Sequence, residues 1–253
     1  MTTHDILIGL EACHEPAHWT RRLERDAGEI ARRLPPELIA LHSTIVDRAR
    51  DAAAHGLILS GSTARSRRTA ISDLDYHLIG PQIVTRDLPS QLDLHTLSPA
   101  ELNAHILAGD DFVQWSLRFG LIVFDDGHLR RAAVLIATSK PWPDANRKRQ
   151  HAAKSVDLAR RMVASGDQDA ALEQIRTALS LAARARLLRA GVFPGVRDEL
   201  PQQLAELGLC DASVALASTI HTNNVPPGEL ARAVDICDAL VSSEYNAVSV
   251  AKT

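Results

Sequence analysis

Hydrophobic and polar positions divide this chain into an N-terminal part that mixes helices with strands and a C-terminal part built from helices alone. Residues 18–34 and 37–55 carry apolar side chains at helical spacing, and the prolines at 35 and 36 separate these two predicted helices. A short apolar run at 57–59 then predicts the first strand. Two helices are therefore expected to precede the first strand.

The middle of the chain alternates between strand and helix patterns. Ser98, Pro99 and Glu101 form a helix-start signature, with serine at the N-cap, proline at the first helical position and glutamate at the third. Residues 125–127, with the sequence DDG, have the composition of a hairpin or loop turn. We expect residues 1–138 to form the first domain. The other predicted elements are strands at 73–79, 91–97 and 120–124 and helices at 98–108 and 112–119.

From residue 145 onward the sequence is typical of a helical bundle. It is rich in alanine, leucine, arginine and glutamate, and Gly166, Gly191 and Gly208 stand where helices are expected to end. A proline-bearing connector at 140–144 precedes this part, so we expect 145–253 to form a second domain. Its four or five predicted helices include 145–165, 167–190, 197–207 and 228–241.

The first strand ends at a glycine–serine turn that is suited to binding phosphate. Gly61 lets the backbone come close to a ligand, and Ser62 begins a run of small and polar residues. Backbone N–H groups and hydroxyls at the start of a helix are natural ligands of a triphosphate, and we expect a helix to begin here. Arg65, Arg67 and Arg68 add positive charge.

Two carboxylates follow on the predicted strand at 73–79. Side chains alternate along a strand, so Asp73 and Asp75 are expected to point to the same face. Neighbouring carboxylates repel each other, and a hard divalent cation that prefers oxygen ligands removes this cost. The pair therefore predicts one or two Mg²⁺ ions, or Mn²⁺, together with a nucleotide. The alternative is that both residues cap a surface turn.

The order of these elements resembles the nucleotidyltransferase superfamily of the polymerase-beta type. In that family a Gly-Ser turn is followed by an acid–hydrophobic–acid strand, and a third acid lies on a later neighbouring strand. Asp93, in the run QLDLHTL, matches the third acid. The close match covers residues 55–97, and a looser likeness to antibiotic and minimal nucleotidyltransferases covers more of the chain. The resemblance implies an α+β fold, in which a small mixed sheet flanked by helices is followed by a C-terminal helical bundle.

The resemblance also implies an activity and a set of site residues. The protein would be a metal-dependent enzyme that transfers a nucleoside monophosphate from a nucleoside triphosphate to a hydroxyl group and releases pyrophosphate. Asp73, Asp75 and Asp93 would be its catalytic and metal-binding residues, with Asp93 either a metal ligand or the base that deprotonates the acceptor. The nucleotide-binding residues would be Gly61, Ser62, Arg65, Ser72 and, on the first bundle helix, Lys154.

The sequence leaves the acceptor open. An aminoglycoside-like antibiotic is the first expectation, by analogy with resistance enzymes of the same two-part plan. The alternatives are a protein acceptor, as in antitoxin-type nucleotidyltransferases, and a regulatory protein that binds nucleotide without turnover. The bundle either shapes the acceptor site or serves as a structural cap or dimerisation element, so a homodimer also stays open. His77 and His95 either orient the nearby carboxylates or are ordinary strand-end histidines.

Composition narrows the class of protein. The 253 residues suffice for two modest domains, and a formal net charge of −3 with a pI near 6.4 argues against broad attachment to nucleic acid. Three widely spaced cysteines argue against a disulfide framework and favour a reducing compartment. No apolar run approaches the roughly 18 residues of a membrane span. A cytoplasmic protein without a membrane partner is the expectation.

Overall fold

The computed structural model describes residues 14–69, 72–139, 142–220, 222 and 225–242. Contacts divide the chain into two units, Met1–Pro143 and Asp144–Thr253. The first contains a four-stranded mixed sheet with helices, and the described part of the second contains helices without strands. The predicted α+β class, a small mixed sheet flanked by helices and followed by a helical bundle, is therefore confirmed.

Prolines and caps set the ends of several helices in the first unit. Pro16 and Pro36 occupy the first position of the two long helices, where a missing N–H costs nothing. The predicted capping box is present, because the hydroxyl of Ser98 accepts from the Glu101 N–H and the Glu101 carboxylate accepts from the Ser98 N–H. The elements are α1 Pro16–Arg33, α2 Pro36–Asp51, β1 Gly56–Leu59, α3 Gly61–Ala64, β2 Leu74–Ile79, β3 Leu92–Leu97, α4 Pro99–Leu107, α5 Asp111–Phe119, β4 Leu121–Asp125 and α6 His128–Ser139.

The helix that begins after the glycine–serine turn is a single turn. Two other elements differ from the sequence expectation. β2 begins one residue later than expected, so that Asp73 precedes the strand. The hairpin or loop turn predicted at 125–127 leads into helix α6, which was not among the predicted elements. Its physical cause is Asp125, whose carboxylate accepts the backbone N–H groups of Leu129 and Arg130 and so satisfies the first turn of a helix.

The sheet has the strand order β3-β2-β1-β4. β1 is antiparallel to both of its neighbours, with an irregularity in its pairing to β4 between Leu57 and Ile58. β2 and β3 are parallel. The sheet is therefore mixed, as predicted, and its central strands β1 and β2 are paired on both edges.

Apolar layers cover both faces of β1. Ile58 faces a core that includes Trp19 of α1 and Leu129 of α6, while Leu57 and Leu59 face a core shared with α2. Adjacent side chains of a strand point to opposite faces, so each residue of a strand covered on both sides must be apolar. This explains why β1 reads as an uninterrupted apolar run in the sequence.

The second unit is built around a core of alanine and leucine, including the fully buried Ala152 and Leu216. Gly166 ends its first helix in the left-handed conformation at φ 81°, as predicted. The helix at 210–220 was not predicted, and the expected helix at 197–207 divides into a 3₁₀ turn and a short α-helix. Among all helices in the described ranges, none combines the length and the apolar character that crossing a membrane requires. The elements are α7 Ala145–Ser165, α8 Gln168–Arg189, a 3₁₀ turn Arg197–Glu199, α9 Leu200–Glu206, α10 Cys210–Ile220 and α11 Pro227–Ser242.

Candidate functional site

The candidate site lies where β1 ends and β2 begins. The backbone N–H of Ser60 donates to the carbonyl oxygen of Asp75 at 2.9 Å, which ties the turn after β1 to the strand that carries Asp75. The single-turn helix α3 starts at the next residue and contacts β2. The glycine–serine turn and the first carboxylates of β2 therefore lie against each other.

Gly61 is the point of closest approach within this site. Its φ of +64° lies in the left-handed region, where a side chain is disfavoured. A Cβ atom at this position would lie 1.8 Å from Oδ2 of Asp75. The sequence predicted a glycine that permits close approach to a ligand, and the close approach in the protein itself is to the Asp75 carboxylate.

The parallel pairing of β2 and β3 brings two predicted site residues side by side. Asp75 lies opposite Asp93, and His77 lies opposite His95, in the register of the two strands. Asp93 is exposed, Asp75 is half-buried, and the exposed Asp73 immediately precedes β2. Asp73 and Asp93 are close enough to Asp75 to affect its ionisation, while the catalytic and metal-binding roles of the three carboxylates stay predictions.

The ionised form of the Asp75 carboxylate is electrostatically unfavourable. Burial raises its pKa, the negative charges of Asp93 and Asp73 raise it further, and the result is a pKa of about 6. Arg68 acts in the opposite direction, and its guanidinium donates to the carbonyl oxygen of Asp73 at 2.9 Å. One arginine does not offset the combined effect of burial and two neighbouring carboxylates, so ionised Asp75 needs additional positive charge.

The donor set of this region fits a hard divalent cation. Carboxylate oxygens are the ligands that Mg²⁺ prefers, and Mg²⁺ is commonly bound through one or two carboxylates plus substrate phosphates. The three aspartates do not bring their ligand atoms within 4.8 Å of one another. Among the described residues, the group that meets this distance is His55, Asp126 and His128. The role of these aspartates in binding a cation therefore stays a prediction.

Behind the carboxylates, His77 is held by helix α5. Its Nε2 lies 2.9 Å from the hydroxyl oxygen of Ser116, and its ring packs against Phe112, with centroids 4.7 Å apart. Burial, with a smaller contribution from His95, lowers the pKa of His77 to about 4, so this imidazole is neutral at physiological pH. His77 thus acts as a packed, neutral support, whereas His95 is exposed and lies edge-on to Phe112 at 5.4 Å.

The other predicted nucleotide-binding residues of the first unit lie in the single-turn helix α3 and in the loop between it and β2. Ser62 is half-buried, and its carbonyl oxygen accepts from the backbone N–H groups of Arg65 and Arg67. The Arg65 guanidinium lies over the ring of Phe119, 5.0 Å from its centroid. The hydroxyl of Ser72 accepts from the Thr69 N–H at 2.9 Å and so organises the loop before β2. Their contacts with nucleotide stay predictions.

Lys154 belongs to the second unit. It lies exposed on α7, near the middle of that helix. An exposed ammonium group on a helix surface is most often solvated, and its proposed contact with nucleotide stays a prediction from the sequence.

Sequence reasoning missed a second group of chemically capable residues. His55, Asp126 and His128 bring one potential metal-ligand atom each within 4.8 Å of the others. His55 and Asp126 are separated by 71 positions in the chain, so no local motif connects them. The only local signal is the Asp-Gly-His sequence at 126–128, whose composition predicts a turn.

The comparisons with known proteins give little further information. No protein-family model matches the sequence, and no curated protein matches it. Among solved structures, the chain is similar to a nucleotidyltransferase-like protein from Exiguobacterium sibiricum 255-15, with 17% sequence identity and a TM-score of 0.43. The similarity covers 79% of this chain and 73% of that chain. A likeness at this level leaves function to be argued from the site itself.

Proposed function

We propose that the protein is a nucleotidyltransferase, which transfers a nucleoside monophosphate from a nucleoside triphosphate to a hydroxyl group of a small molecule. The observation that carries this proposal is the contact between Gly61 and Asp75, next to the register pair of Asp75 and Asp93. Phosphate-binding turns and acidic surfaces are each common alone. Their direct contact suits this reaction, because the triphosphate and the carboxylates must share the same cations.

In this proposal the residues divide into phosphate-binding and cation-binding groups. Ser62 and the backbone N–H groups that follow Gly61 bind the terminal phosphates. Asp73 and Asp75 hold one or two Mg²⁺ ions, for which Mn²⁺ can substitute. The bound cation supplies neutralisation of the charge on the phosphate oxygens. Asp75 is positioned for this purpose by its contact with the turn, and its unfavourable ionisation is relieved when a cation binds.

The bond changes are those of a single displacement at phosphorus. The acceptor hydroxyl oxygen attacks the α-phosphorus and forms the new P–O bond. The bond from the α-phosphorus to the bridging oxygen breaks, and pyrophosphate leaves with that oxygen. The proton of the acceptor hydroxyl passes to Asp93, which is exposed on the same face as Asp75 and is free to meet an acceptor.

An aminoglycoside-like antibiotic is the proposed acceptor. The net charge of −3 and the exposed carboxylates of Asp73 and Asp93 favour a polycation at this surface. The exposed ring of Phe112 next to His95 adds an apolar surface on which a sugar ring or a base can stack. The acceptor class rests on charge and surface chemistry and is tested separately from nucleotide binding.

The test begins with nucleotide binding and continues with turnover. Calorimetry with ATP, GTP, CTP and UTP in the presence of Mg²⁺ should show binding of at least one of them. Pyrophosphate release is then followed with a panel of aminoglycosides and lincosamides. We expect Asp75→Asn to lower turnover by about 10²–10³-fold, as is typical when one group that stabilises transition-state charge is removed.

Asp47→Asn provides the matched control. Asp47 is an exposed carboxylate on α2, and its replacement makes the same change in charge away from the site. Circular dichroism checks that both variants fold. Binding without pyrophosphate release would support a regulatory protein, and a mass increase of one nucleotide on a co-purified protein would identify a protein acceptor. Absence of binding to all four nucleotides, with Mg²⁺ and with Mn²⁺, would contradict the proposed function.

A further inference from the structure

Three metal-ligand side chains meet at the end of β1 that is remote from Gly61. His55 immediately precedes β1, and Asp126 and His128 follow β4, which runs antiparallel to β1. One ligand atom of each residue lies within 4.8 Å of the other two. The four residues of β1 span about 13 Å at about 3.3 Å per residue, so this cluster is separate from the Asp75 surface.

Both histidines point at the same carboxylate. Nδ1 of His55 lies 2.7 Å from Oδ2 of Asp126, and Nδ1 of His128 lies 2.6 Å from Oδ1. The two ring centroids are 4.2 Å apart. An ionised carboxylate only accepts hydrogen bonds, so each imidazole donates its Nδ1–H to Asp126 in the metal-free protein. When the proton of a neutral imidazole moves to Nε2, its Nδ1 lone pair becomes available to a metal ion bound beside the carboxylate oxygens.

The backbone holds these side chains in place from three strands. The His55 N–H donates to the carbonyl oxygen of Ile79 at the end of β2, at 2.7 Å, and the Asp126 N–H donates to the His55 carbonyl oxygen at 3.0 Å. Gly127, at φ +109°, turns the chain so that the residues on both sides of it face His55. Rigid elements therefore position the three ligands before any ion binds.

Helix capping does not account for this cluster. The N-terminus of α6 is capped by Asp125, which accepts the N–H groups of Leu129 at 2.8 Å and Arg130 at 3.1 Å. Asp126 accepts the His128 N–H at the longer distance of 3.3 Å. Both oxygens of Asp126 face imidazoles instead, and this arrangement is explained better by a ligand set than by a cap.

We propose that His55, Asp126 and His128 bind a first-row transition-metal dication, such as Zn²⁺, with solvent completing its coordination. Imidazole ligands favour such ions over Mg²⁺ and Ca²⁺, which prefer sets made of oxygen alone. Two neutral imidazoles and one carboxylate carry a charge of −1, which suits a dication. Three protein ligands leave a coordination position open, as in exchangeable and catalytic zinc sites.

Cobalt(II) provides a direct spectroscopic probe of this site. The 253-residue, tag-free protein is stripped of metal and titrated with Co²⁺ at neutral pH in an excess of Mg²⁺, which competes for the all-oxygen surface. We expect one Co²⁺ per chain, visible absorption typical of a coordinated ion, and its displacement by Zn²⁺. His128→Ala should weaken Co²⁺ binding by at least about tenfold. Loss of a residue that only hydrogen-bonds a metal ligand already lowers metal affinity by about 10–100-fold, and His128 is proposed to bind the metal directly.

His105→Ala is the matched control. His105 forms another partly exposed histidine–aspartate pair, with Nδ1 3.0 Å from Oδ2 of Asp110, but the described residues bring no third ligand to it. This variant should bind Co²⁺ as the wild-type protein does. The proposal is overturned if wild-type protein binds no Co²⁺ or if His128→Ala binds it equally well.

A second measurement covers the case in which His128→Ala does not fold. Nuclear magnetic resonance of the wild-type protein reports the ring nitrogens of each histidine separately. Addition of Zn²⁺ should shift the ring-nitrogen signals of His55 and His128 and leave those of His105 unchanged. Unchanged signals of His55 and His128 at saturating Zn²⁺ would overturn the proposal without any variant.

Discussion

Asp75 and Asp126 are the same residue type at opposite ends of β1, yet their pKa values are shifted in opposite directions. Burial and two neighbouring carboxylates raise the pKa of Asp75 to about 6. Partial burial acts in the same direction on Asp126, but hydrogen bonds from His128 and His55 overcome it and lower the pKa to about 2. Deeper burial and carboxylate neighbours together favour the protonated form of Asp75, whereas hydrogen bonds from two histidines favour the ionised form of Asp126.

This difference separates two ways of preparing a site for a cation. The Asp75 surface contains acceptors that repel one another, so the metal-free protein carries an unfavourable charge that a cation removes. The His55–Asp126–His128 cluster satisfies itself by hydrogen bonds, so a cation must replace existing interactions. The first arrangement suits an ion that arrives with a phosphate substrate. The second suits an ion that binds imidazole strongly enough to displace its hydrogen bonds.

Among the variants that compare the two ends of β1, the largest effect on turnover is expected from moving the Asp75 carboxylate without removing it. Gly61→Ala places a Cβ atom only 1.8 Å from Oδ2 of Asp75, which is far inside van der Waals contact. The carboxylate must therefore shift by an ångström or more. A displacement of this size in a catalytic group lowers turnover by about 10²-fold. Steady-state pyrophosphate release measures the effect, and Co²⁺ binding at the His55 end should be unaffected.

Gly166→Ala separates this displacement from simple backbone strain. Gly166 has a φ of +81°, similar to that of Gly61, but a Cβ atom there would meet nothing within 4 Å. Both variants should therefore lose about 1–2 kcal/mol from left-handed strain, measured by urea unfolding. Equal turnover of the two variants would show that the contact between Gly61 and Asp75 is unimportant for activity.

A smaller effect, of opposite sign at the two ends, is expected in the free energy of unfolding of the metal-free protein. Asp75→Asn removes a repelled charge and should stabilise the protein, whereas Asp126→Asn weakens two favourable hydrogen bonds and should destabilise it. Each change should be less than about 1 kcal/mol, because both carboxylates are partly exposed and solvent screens their interactions. Urea unfolding in the presence of a chelator at pH 8 measures both.

The dependence on pH distinguishes the two causes. The folded pKa of Asp75, about 6, lies above its ordinary 3.8, so its unfavourable charge is fully present above pH 6 and disappears as the pH falls towards 3.8. The folded pKa of Asp126, about 2, lies below 3.8, so its stabilisation is present above pH 3.8 and is lost as the pH falls through 2. At pH 5 the gain from Asp75→Asn should shrink, while the loss from Asp126→Asn should persist. Equal changes in both variants would contradict this assignment.

The Asp75 surface could be anticipated from the sequence because its parts are local. Gly61 and Asp75 belong to consecutive elements, and the two-residue period of a strand places Asp75 and His77 on one face. Asp93 was found through the family resemblance, and the parallel register of β2 and β3 indeed sets it opposite Asp75. The contact between Gly61 and the Asp75 carboxylate was not predictable, since it depends on how the turn folds back over β2.

The cluster at the other end was missed for a physical reason. His55 and Asp126 are neighbours only because β1 and β4 pair antiparallel, and sequence periodicity contains no information on strand pairing. The residues at 125–127 have the composition of a turn, and only the structure shows that Asp125 caps a helix there while Asp126 faces the histidines. Helix α6 begins directly after these residues, and their turn composition hides its start in the sequence.

The smallest expected effect is the coupling free energy between Asp75 and Asp126. Its size tests whether the two ends of β1 are independent sites. Asp75 and Asp126 share no partner among the described hydrogen bonds, and the strand between them spans about 13 Å. The double variant Asp75→Asn/Asp126→Asn should therefore change the free energy of unfolding by the sum of the single changes, within about 0.5 kcal/mol. Urea unfolding of the four proteins in a chelator completes the cycle. A coupling above about 1 kcal/mol would mean that a charge at one end of β1 is felt at the other, and that the two ends are not independent.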